Sequence, residues 1–429
     1  MRVLVVGANL AGLLSARHLR QQGHEVTLLV EGPEVATQAM PPFVFSDPGP
    51  WGAAQGAFST LGAMLKDCRE LRLGLDGLAY SGWLAHCIGR RFGGRARSQA
   101  LQALAMARRS QIVFDQLKAT AALPGSLETV SMLSLYRDGH LAKTHSQRGP
   151  MWHLGSPPTL CDTAGITALL PQLDSPAALL RSGLQSQGQM LADGAALMAT
   201  LRQQLVNAGV RFIFDHHIDG AVHAGQHLHA VTLRGRLGLT EELDTDLAVA
   251  TSRPLAQPLL RALGLAPRLA PLTQWRLRTR LADVNDAAQW VHDQHSGVRL
   301  TRRGQDLWAQ GPAWLGQPDG SPNQELAHLS AAITRHFGQR WSVAAEAPLE
   351  QTHWVAPDGL PLVSRTSTRN LLLNLGHYSG QPTFAFGALA LLDNLLQAGR
   401  PSAKTPAPRP SWSVSQVPLP AAPQGLSHD

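Results

Sequence analysis

The sequence has few cysteines and no long apolar segment, and both absences argue against whole classes of protein. Its three cysteines, Cys68, Cys87 and Cys161, are far apart and form no Cys-x-x-Cys pair, which argues against a disulfide framework or a cysteine-based zinc site. His227 and His229 share one side of a predicted strand, but no further ligand follows at a metal-site interval, and we expect no bound metal. No run approaches the ~18 apolar residues of a membrane-spanning helix.

Length and charge indicate a globular protein of several domains with a basic surface. A chain of 429 residues is too long for one small core and predicts two or three domains. Hydrophobic residues make up 44% of it and charged residues 16%, which is typical of a globular enzyme. The formal net charge is +7. A solvated surface is the simplest explanation, contact with an anionic membrane surface or an acidic partner is the alternative, and no motif indicates nucleic-acid binding.

The first thirty residues predict a βαβ unit. Residues 2–6 form a short run rich in β-branched side chains, which suits a strand buried on both faces. A glycine-containing loop follows at residues 7–12, and apolar residues at helical spacing continue to Gln22. Residues 24–30 predict a second strand, with Glu31 at its end. An acid about 20 residues after such a loop is the arrangement that binds a dinucleotide. Because no secretory leader precedes the first strand, we expect a cytoplasmic protein.

The residue types of this loop suit a diphosphate. Gly7 permits a sharp turn out of the strand, and Gly12 lets the helix approach the sheet closely. Leu10 and Ala11 lie at the helix amino terminus, where free N–H groups and the positive end of the helix dipole attract a pyrophosphate. Glu31 can accept hydrogen bonds from a ribose hydroxyl, which favours a ribose without a 2′-phosphate.

The rest of the chain predicts further nucleotide-binding strands and a second, mixed domain. Apolar residues at helical spacing in residues 100–117 predict a helix, and alternation in residues 130–136 and 273–281 predicts strands of an antiparallel sheet. The fold class is α/β, with a Rossmann-type domain and a second α+β domain built on that sheet. We expect the first domain in residues 1–64, 186–264 and 352–400, the second in 65–185 and 265–351, and a disordered Pro-rich tail in 401–429.

Two segments near the carboxyl terminus, together with the amino-terminal unit, carry a family resemblance. Residues 357–363 read Pro-Asp-Gly-Leu-Pro-Leu-Val, and residues 370–377 read Asn-Leu-Leu-Leu-Asn-Leu-Gly-His. With the loop and Glu31 they resemble the flavin-dependent amino-acid oxidases and dehydrogenases, above all bacterial D-amino acid dehydrogenases. The resemblance implies an FAD-binding Rossmann-type domain and a substrate domain. It also implies oxidation of a C–N bond by hydride transfer to flavin, giving an imino acid that hydrolyses to a keto acid and ammonia.

The resemblance also implies site residues. In the family, the segment after the last strand wraps the flavin ring. In addition to the amino-terminal loop, the cofactor-binding positions are therefore expected to be Gly376, Ser379, Gly380, Gln381, Pro382 and Thr383. His377 follows the strand-end glycine and is a candidate catalytic residue. The substrate carboxylate needs an arginine or a tyrosine. Tyr378 is one candidate, and Arg278 is another, although Arg276, Arg278 and Arg280 alternate as on a solvated sheet face.

Four positions differ from the family pattern and motivate an alternative. Asn9 replaces the middle glycine of the loop, where its side chain is expected to occupy phosphate space, and His353 stands where the family has an arginine. Thr251 and Leu389 are also atypical. The alternative is a catalytically silent subunit that keeps the fold as a partner or scaffold. A third option is flavin-dependent halogenation or hydroxylation, for which the sequence shows no motif.

The expected partners follow from the resemblance. The substrate is a small amine or amino acid, and the electron acceptor is left open between a quinone, oxygen and a partner protein. Peripheral contact with the inner membrane and formation of an oligomer are further options that the sequence leaves open.

Overall fold

The structure is a computed structural model that describes residues 1–32, 42–45, 71–89, 94–119, 128–146, 157–170, 181–282, 289–338, 341–342, 348–378 and 382–398. The expected Pro-rich tail, residues 401–429, lies outside the described residues, as do three expected cofactor residues, Ser379, Gly380 and Gln381.

Strands and helices alternate in the first part of the described chain, and strands dominate afterwards. The strands are β1 (Arg2–Val6), β2 (Glu25–Leu29), β3 (Phe43–Phe45), β4 (Leu71–Leu73), β5 (Glu128–Tyr136), β6 (Thr159–Cys161), β7 (Ser182–Ala192), β8 (Arg211–Ile213), β9 (His216–Ala224), β10 (His227–Gly235), β11 (Thr240–Asp244), β12 (Leu247–Ala250), β13 (Ala270–Leu281), β14 (Gln289–Asp293), β15 (Val298–Arg303), β16 (Asp306–Leu315), β17 (Trp341–Ser342), β18 (Leu349–Val355), β19 (Leu362–Arg365) and β20 (Leu371–Leu375). The helices are α1 (Leu10–Gln21), α2 (Ser81–Gly89), α3 (Gly94–Ala119), α4 (Gly139–Ser146), α5 (Thr163–Leu169), α6 (Gly194–Asn207), α7 (Arg253–Ala262), α8 (Pro322–Phe337) and α9 (Pro382–Ala398), with a short 3-10 turn at Gly77–Tyr80.

The first sheet has six strands in the order β19-β20-β12-β1-β2-β8. All neighbours are parallel except β19 and β20. Because a parallel sheet is covered on both faces, its strands are apolar throughout, and every residue of β12 and β20 is buried. Val3 and Val5 face a core shared with α1, α6 and α9, whereas Leu4 and Val6 face a core shared with α7 and β10. This arrangement confirms the predicted Rossmann-type unit.

The second sheet has eleven strands and is largely antiparallel. Eight of them follow the order β17-β13-β16-β15-β14-β5-β7-β3, and β18, β4 and β6 pair with β13, β16 and β7. Side chains alternate along β13: Trp275 and Leu277 pack in a core with α8, and Leu272 packs in another with Trp83 of α2. The alternation read from residues 273–281 therefore confirms the predicted antiparallel sheet.

The proposed domain boundaries stay a prediction. All six strands of the first sheet come from the segments assigned to the nucleotide-binding domain. In the larger sheet, however, β3 comes from the first of these segments, and β7 and β18 each cross a proposed boundary.

Helix α3 contains the helix expected at residues 100–117, and it packs against α9. The N–H of Gly387 donates to Ser110 Oγ at 2.6 Å, and a Cβ at Gly387 would lie 2.4 Å from the carbonyl oxygen of Met106. In the described part of the chain, no helix is long and apolar enough to cross a membrane.

Candidate active site

The amino-terminal loop makes the close approaches for which glycine was expected. Gly7 has φ = +116°, and a Cβ there would lie 2.5 Å from the Cβ of Ser252. Its N–H donates to the carbonyl oxygen of Leu29 at 2.9 Å, which ties the turn to β2. A Cβ at Gly12 would lie 1.8 Å from the carbonyl oxygen of Gly7. Both glycines are therefore required by the path of the chain.

Asn9 is the amino-terminal cap of α1, and its side chain is bonded within the protein. Its Oδ1 accepts from the N–H of Gly12 at 2.9 Å, and its Nδ2 donates to the carbonyl oxygen of Thr251 at 2.8 Å. The N–H groups of Leu10 and Ala11, in the first turn of α1, find no acceptor among the described residues. The Asn9 side chain therefore leaves the N–H groups of Leu10 and Ala11 available to a diphosphate.

Glu31 follows β2 and is held by the segment that follows β12. The hydroxyl of Ser252 donates to Glu31 Oε2 at 3.2 Å, and the Glu31 side chain is exposed. An exposed carboxylate next to the glycine turn is placed to accept hydrogen bonds from a ribose. The loop therefore fits the adenosine diphosphate part of FAD: Glu31 suits the ribose, the N–H groups of Leu10 and Ala11 suit the phosphates, and the turn at Gly7 has no Cβ in the way.

The second half of the site begins where β20 ends. Gly376 has φ = +84° and is followed by His377 and Tyr378. The side chain of His377 bonds through Nε2 to Asn374 Oδ1 at 2.8 Å, and its Nδ1 is buried with no partner among the described residues. Burial lowers the pKa of His377 to about 4, so the ring is neutral at neutral pH.

Helix α9 begins at Pro382, and Thr383 in its first turn is buried. Proline suits the first turn of a helix because its missing N–H has no partner to lose there. Three residues, 379–381, separate the last described residue of the loop from the first residue of this helix.

The half-buried Tyr378 lies in one cluster with His353 and Arg276, which are buried. The rings of His353 and Tyr378 are 5.7 Å apart and nearly perpendicular. Burial, helped by the charge of Arg276, lowers the pKa of His353 to about 3, so its ring is neutral. Arg276 is 4% exposed; burial lowers its pKa to about 10, and Tyr378 acts in the opposite direction. At neutral pH the guanidinium is therefore the cation of the cluster.

Arg278, the arginine expected from the sequence, has a different environment. Its guanidinium bonds to Asp306 Oδ2 at 3.2 Å and lies 5.4 Å from the ring centre of Trp308. Arg280, two residues on, has a side chain that is 72% exposed. Exposure of the three arginines therefore increases along β13, from the buried Arg276 to the solvated Arg280. Arg276, and not Arg278, is the arginine that interacts with Tyr378.

The fold and the two half-sites define a protein with a dinucleotide-binding unit of the Rossmann class. The sequence matches the family described as FAD-dependent oxidoreductase over residues 2–393. The chain belongs to this family, which confirms the resemblance, the fold class, the enzyme class and FAD as cofactor.

Several solved structures share the fold at low sequence identity. They include L-proline dehydrogenase from P. horikoshii, with 14% identity, 95% of each chain covered and a TM-score of 0.66. Glycine oxidase from Geobacillus kaustophilus has 15% identity, covers 92% of this chain and 95% of its own, and has a TM-score of 0.66. Iminodiacetate oxidase from Chelativorans sp. BNC1 has 16% identity, covers 94% and 97%, and has a TM-score of 0.58.

Proposed function

We propose that this FAD-dependent oxidoreductase oxidises the C–N bond of an amino acid or a related amine. The product is an imino acid, which hydrolyses to a keto acid and ammonia. The observation that carries the proposal is the buried cation Arg276 beside Tyr378, close to the end of β20 where the flavin ring is expected. The names of the similar structures support it, because a proline dehydrogenase, a glycine oxidase and an iminodiacetate oxidase act on amino or imino acids.

The amino-terminal loop would hold the cofactor at its diphosphate end. The N–H groups of Leu10 and Ala11 would donate to phosphate oxygens, and Glu31 would accept from the adenosine ribose. At the other end, Thr383 and the loop before it would contact the flavin. Bound FAD supplies the hydride acceptor.

Arg276 would bind the substrate carboxylate. A guanidinium presents two parallel N–H groups that match a carboxylate, and the Tyr378 hydroxyl offers a further donor. Burial strengthens this recognition, because little water competes for the carboxylate. The rings of His353 and His377 are neutral and add no second positive charge beside the guanidinium. A substrate amine that arrives neutral needs no strong base.

The other options receive less support. No observation on the described residues favours the catalytically silent alternative. The electron acceptor, contact with a membrane and the oligomeric state stay predictions, and so do the individual roles of His377, Tyr378 and Arg278.

The test compares two arginine variants of the same strand. Arg276→Met should weaken binding of a carboxylic acid that resembles the substrate but lacks its amino group. The expected loss is about 3 kcal/mol, or roughly 100-fold, the size of a charge-assisted pair of hydrogen bonds. Arg278→Met, which removes a partner of Asp306 instead, should change the affinity less than about threefold. Both are measured by the change in flavin absorbance on titration. Equal losses in the two variants, or none in Arg276→Met, would contradict the assignment.

A further inference from the structure

A buried chain of hydrogen bonds joins His377 to the first turn of α1. His377 Nε2 lies 2.8 Å from Asn374 Oδ1, and Asn374 Nδ2 lies 3.1 Å from Ser15 Oγ. Ser15 Oγ in turn donates to the carbonyl oxygen of Ala11 at 2.7 Å. Asn374 and Ser15 have no exposed surface. The chain therefore connects the loop after β20 with the helix whose amino terminus would face the diphosphate, and solvent does not reach its middle.

The direction of every bond in this chain follows from its ends. The carbonyl oxygen of Ala11 can only accept, so it takes the hydroxyl proton of Ser15. The Ser15 oxygen then accepts from the Asn374 amide, which turns the Asn374 carbonyl oxygen toward His377. Since that oxygen also only accepts, Nε2 of His377 must carry the ring proton, and Nδ1 keeps its lone pair.

We infer that Ser15 and Asn374 are positioning residues that hold His377 in its Nε2–H form, so that Nδ1 accepts a hydrogen bond from an N–H group of the bound ligand. Nδ1 is buried and has no partner among the described residues, and a buried acceptor of this kind is costly until a donor reaches it. The shared chemistry is an N–H donor, which two sources can supply: the imide of the flavin or the amino group of the substrate. The second source rests on the proposed function.

The tautomer is measured directly by NMR on the full-length protein with ¹⁵N-labelled histidine. Two-bond ¹H–¹⁵N correlations separate protonated from unprotonated ring nitrogens, and the His377 signals are those missing in His377→Gln. The wild type should show a protonated Nε2 and an unprotonated Nδ1. Ser15→Ala removes the acceptor that orients the Asn374 amide, so the other tautomer should appear. A wild-type ring with its proton on Nδ1, or an unchanged tautomer in Ser15→Ala, would overturn the inference.

A matched control separates this effect from general loss of packing. Ser110→Ala also removes a buried helical hydroxyl, which accepts from the N–H of Gly387, but it leaves the chain from Ala11 to His377 intact. It should keep the wild-type tautomer of His377. A tautomer change in Ser110→Ala as large as in Ser15→Ala would show a packing effect and reject the positioning role.

The ligand is identified by the order in which the Nδ1 signal moves. Wild-type protein is recorded without FAD, after loading with FAD, and then with the amine-free carboxylic acid or an amino acid. A shift on loading with FAD assigns the donor to the flavin imide. A shift with the amino acid alone assigns it to the substrate amine. No shift at any step would overturn the acceptor role, whereas the tautomer result stands even if no amino acid is oxidised.

Discussion

Replacing the buried His353 should make the protein less sensitive to acid. The ordinary pKa of histidine, 6.5, is lowered to about 3 in the folded protein. Between these values the unfolded state binds a proton that the folded state does not, so stability is full above pH 6.5 and falls as the pH decreases. At pH 5, which is 1.5 units below the unfolded value, the loss is about 2 kcal/mol. This estimate depends little on the folded pKa, which lies well below 5.

The assay is guanidinium unfolding at pH 8 and at pH 5. His353→Gln should lose about 2 kcal/mol less than the wild type between the two pH values. His377, whose pKa is lowered to about 4, contributes in both proteins and cancels from the comparison. His227→Gln removes an exposed histidine and serves as the control for loss of one imidazole. Equal acid sensitivity of the wild type and His353→Gln would refute the burial of a neutral ring at this position.

Two predictions concern the dinucleotide loop. Gly7→Ala should lower the stability by more than the roughly 1–3 kcal/mol of positive-φ strain alone, because the new Cβ would meet Ser252, and it should abolish retention of FAD. The control is Gly23→Ala, which is also at positive φ but has nothing within 4 Å of the new Cβ. In thermal unfolding it should show the loss from strain alone. Asn9→Gly should cost only a few tenths of a kcal/mol and should change the affinity for FAD less than about threefold, because Asn9 leaves the N–H groups of Leu10 and Ala11 available to phosphate. Much tighter binding of FAD by Asn9→Gly in a fluorescence titration would mean that the cap competes with the cofactor.

Local patterns predicted the architecture well. The run from Arg2 to Val6, the glycine loop and Glu31 predicted β1, α1 and β2 because each depends on residues near in sequence. Alternation in residues 273–281 predicted β13 for the same reason. The fold class could be predicted because the spacing of apolar residues and the positions of the glycines already specify these elements, and the tertiary contacts agree with them.

The site could be predicted only in part, because its geometry depends on distant contacts. Arg276 and Arg278 are equivalent in the sequence alternation. They differ in burial because Arg276 lies near His353 and Tyr378, whereas Arg278 bonds to Asp306. The orientation of the Asn9 side chain depends on a contact 242 residues away, because its amide donates to the carbonyl oxygen of Thr251 after β12. The local sequence around Asn9 does not show that the end of β12 will lie next to this loop.

The most direct test of the central claim is anaerobic titration of the FAD-loaded protein with amino acids and related amines, followed by absorbance. The account predicts that the band of oxidised flavin bleaches with at least one of these compounds and that ammonia is released. It also predicts that Arg276→Met needs a much higher concentration of the same compound. Flavin that stays oxidised with every amino acid and amine tested, or protein that remains colourless after incubation with FAD, would contradict it.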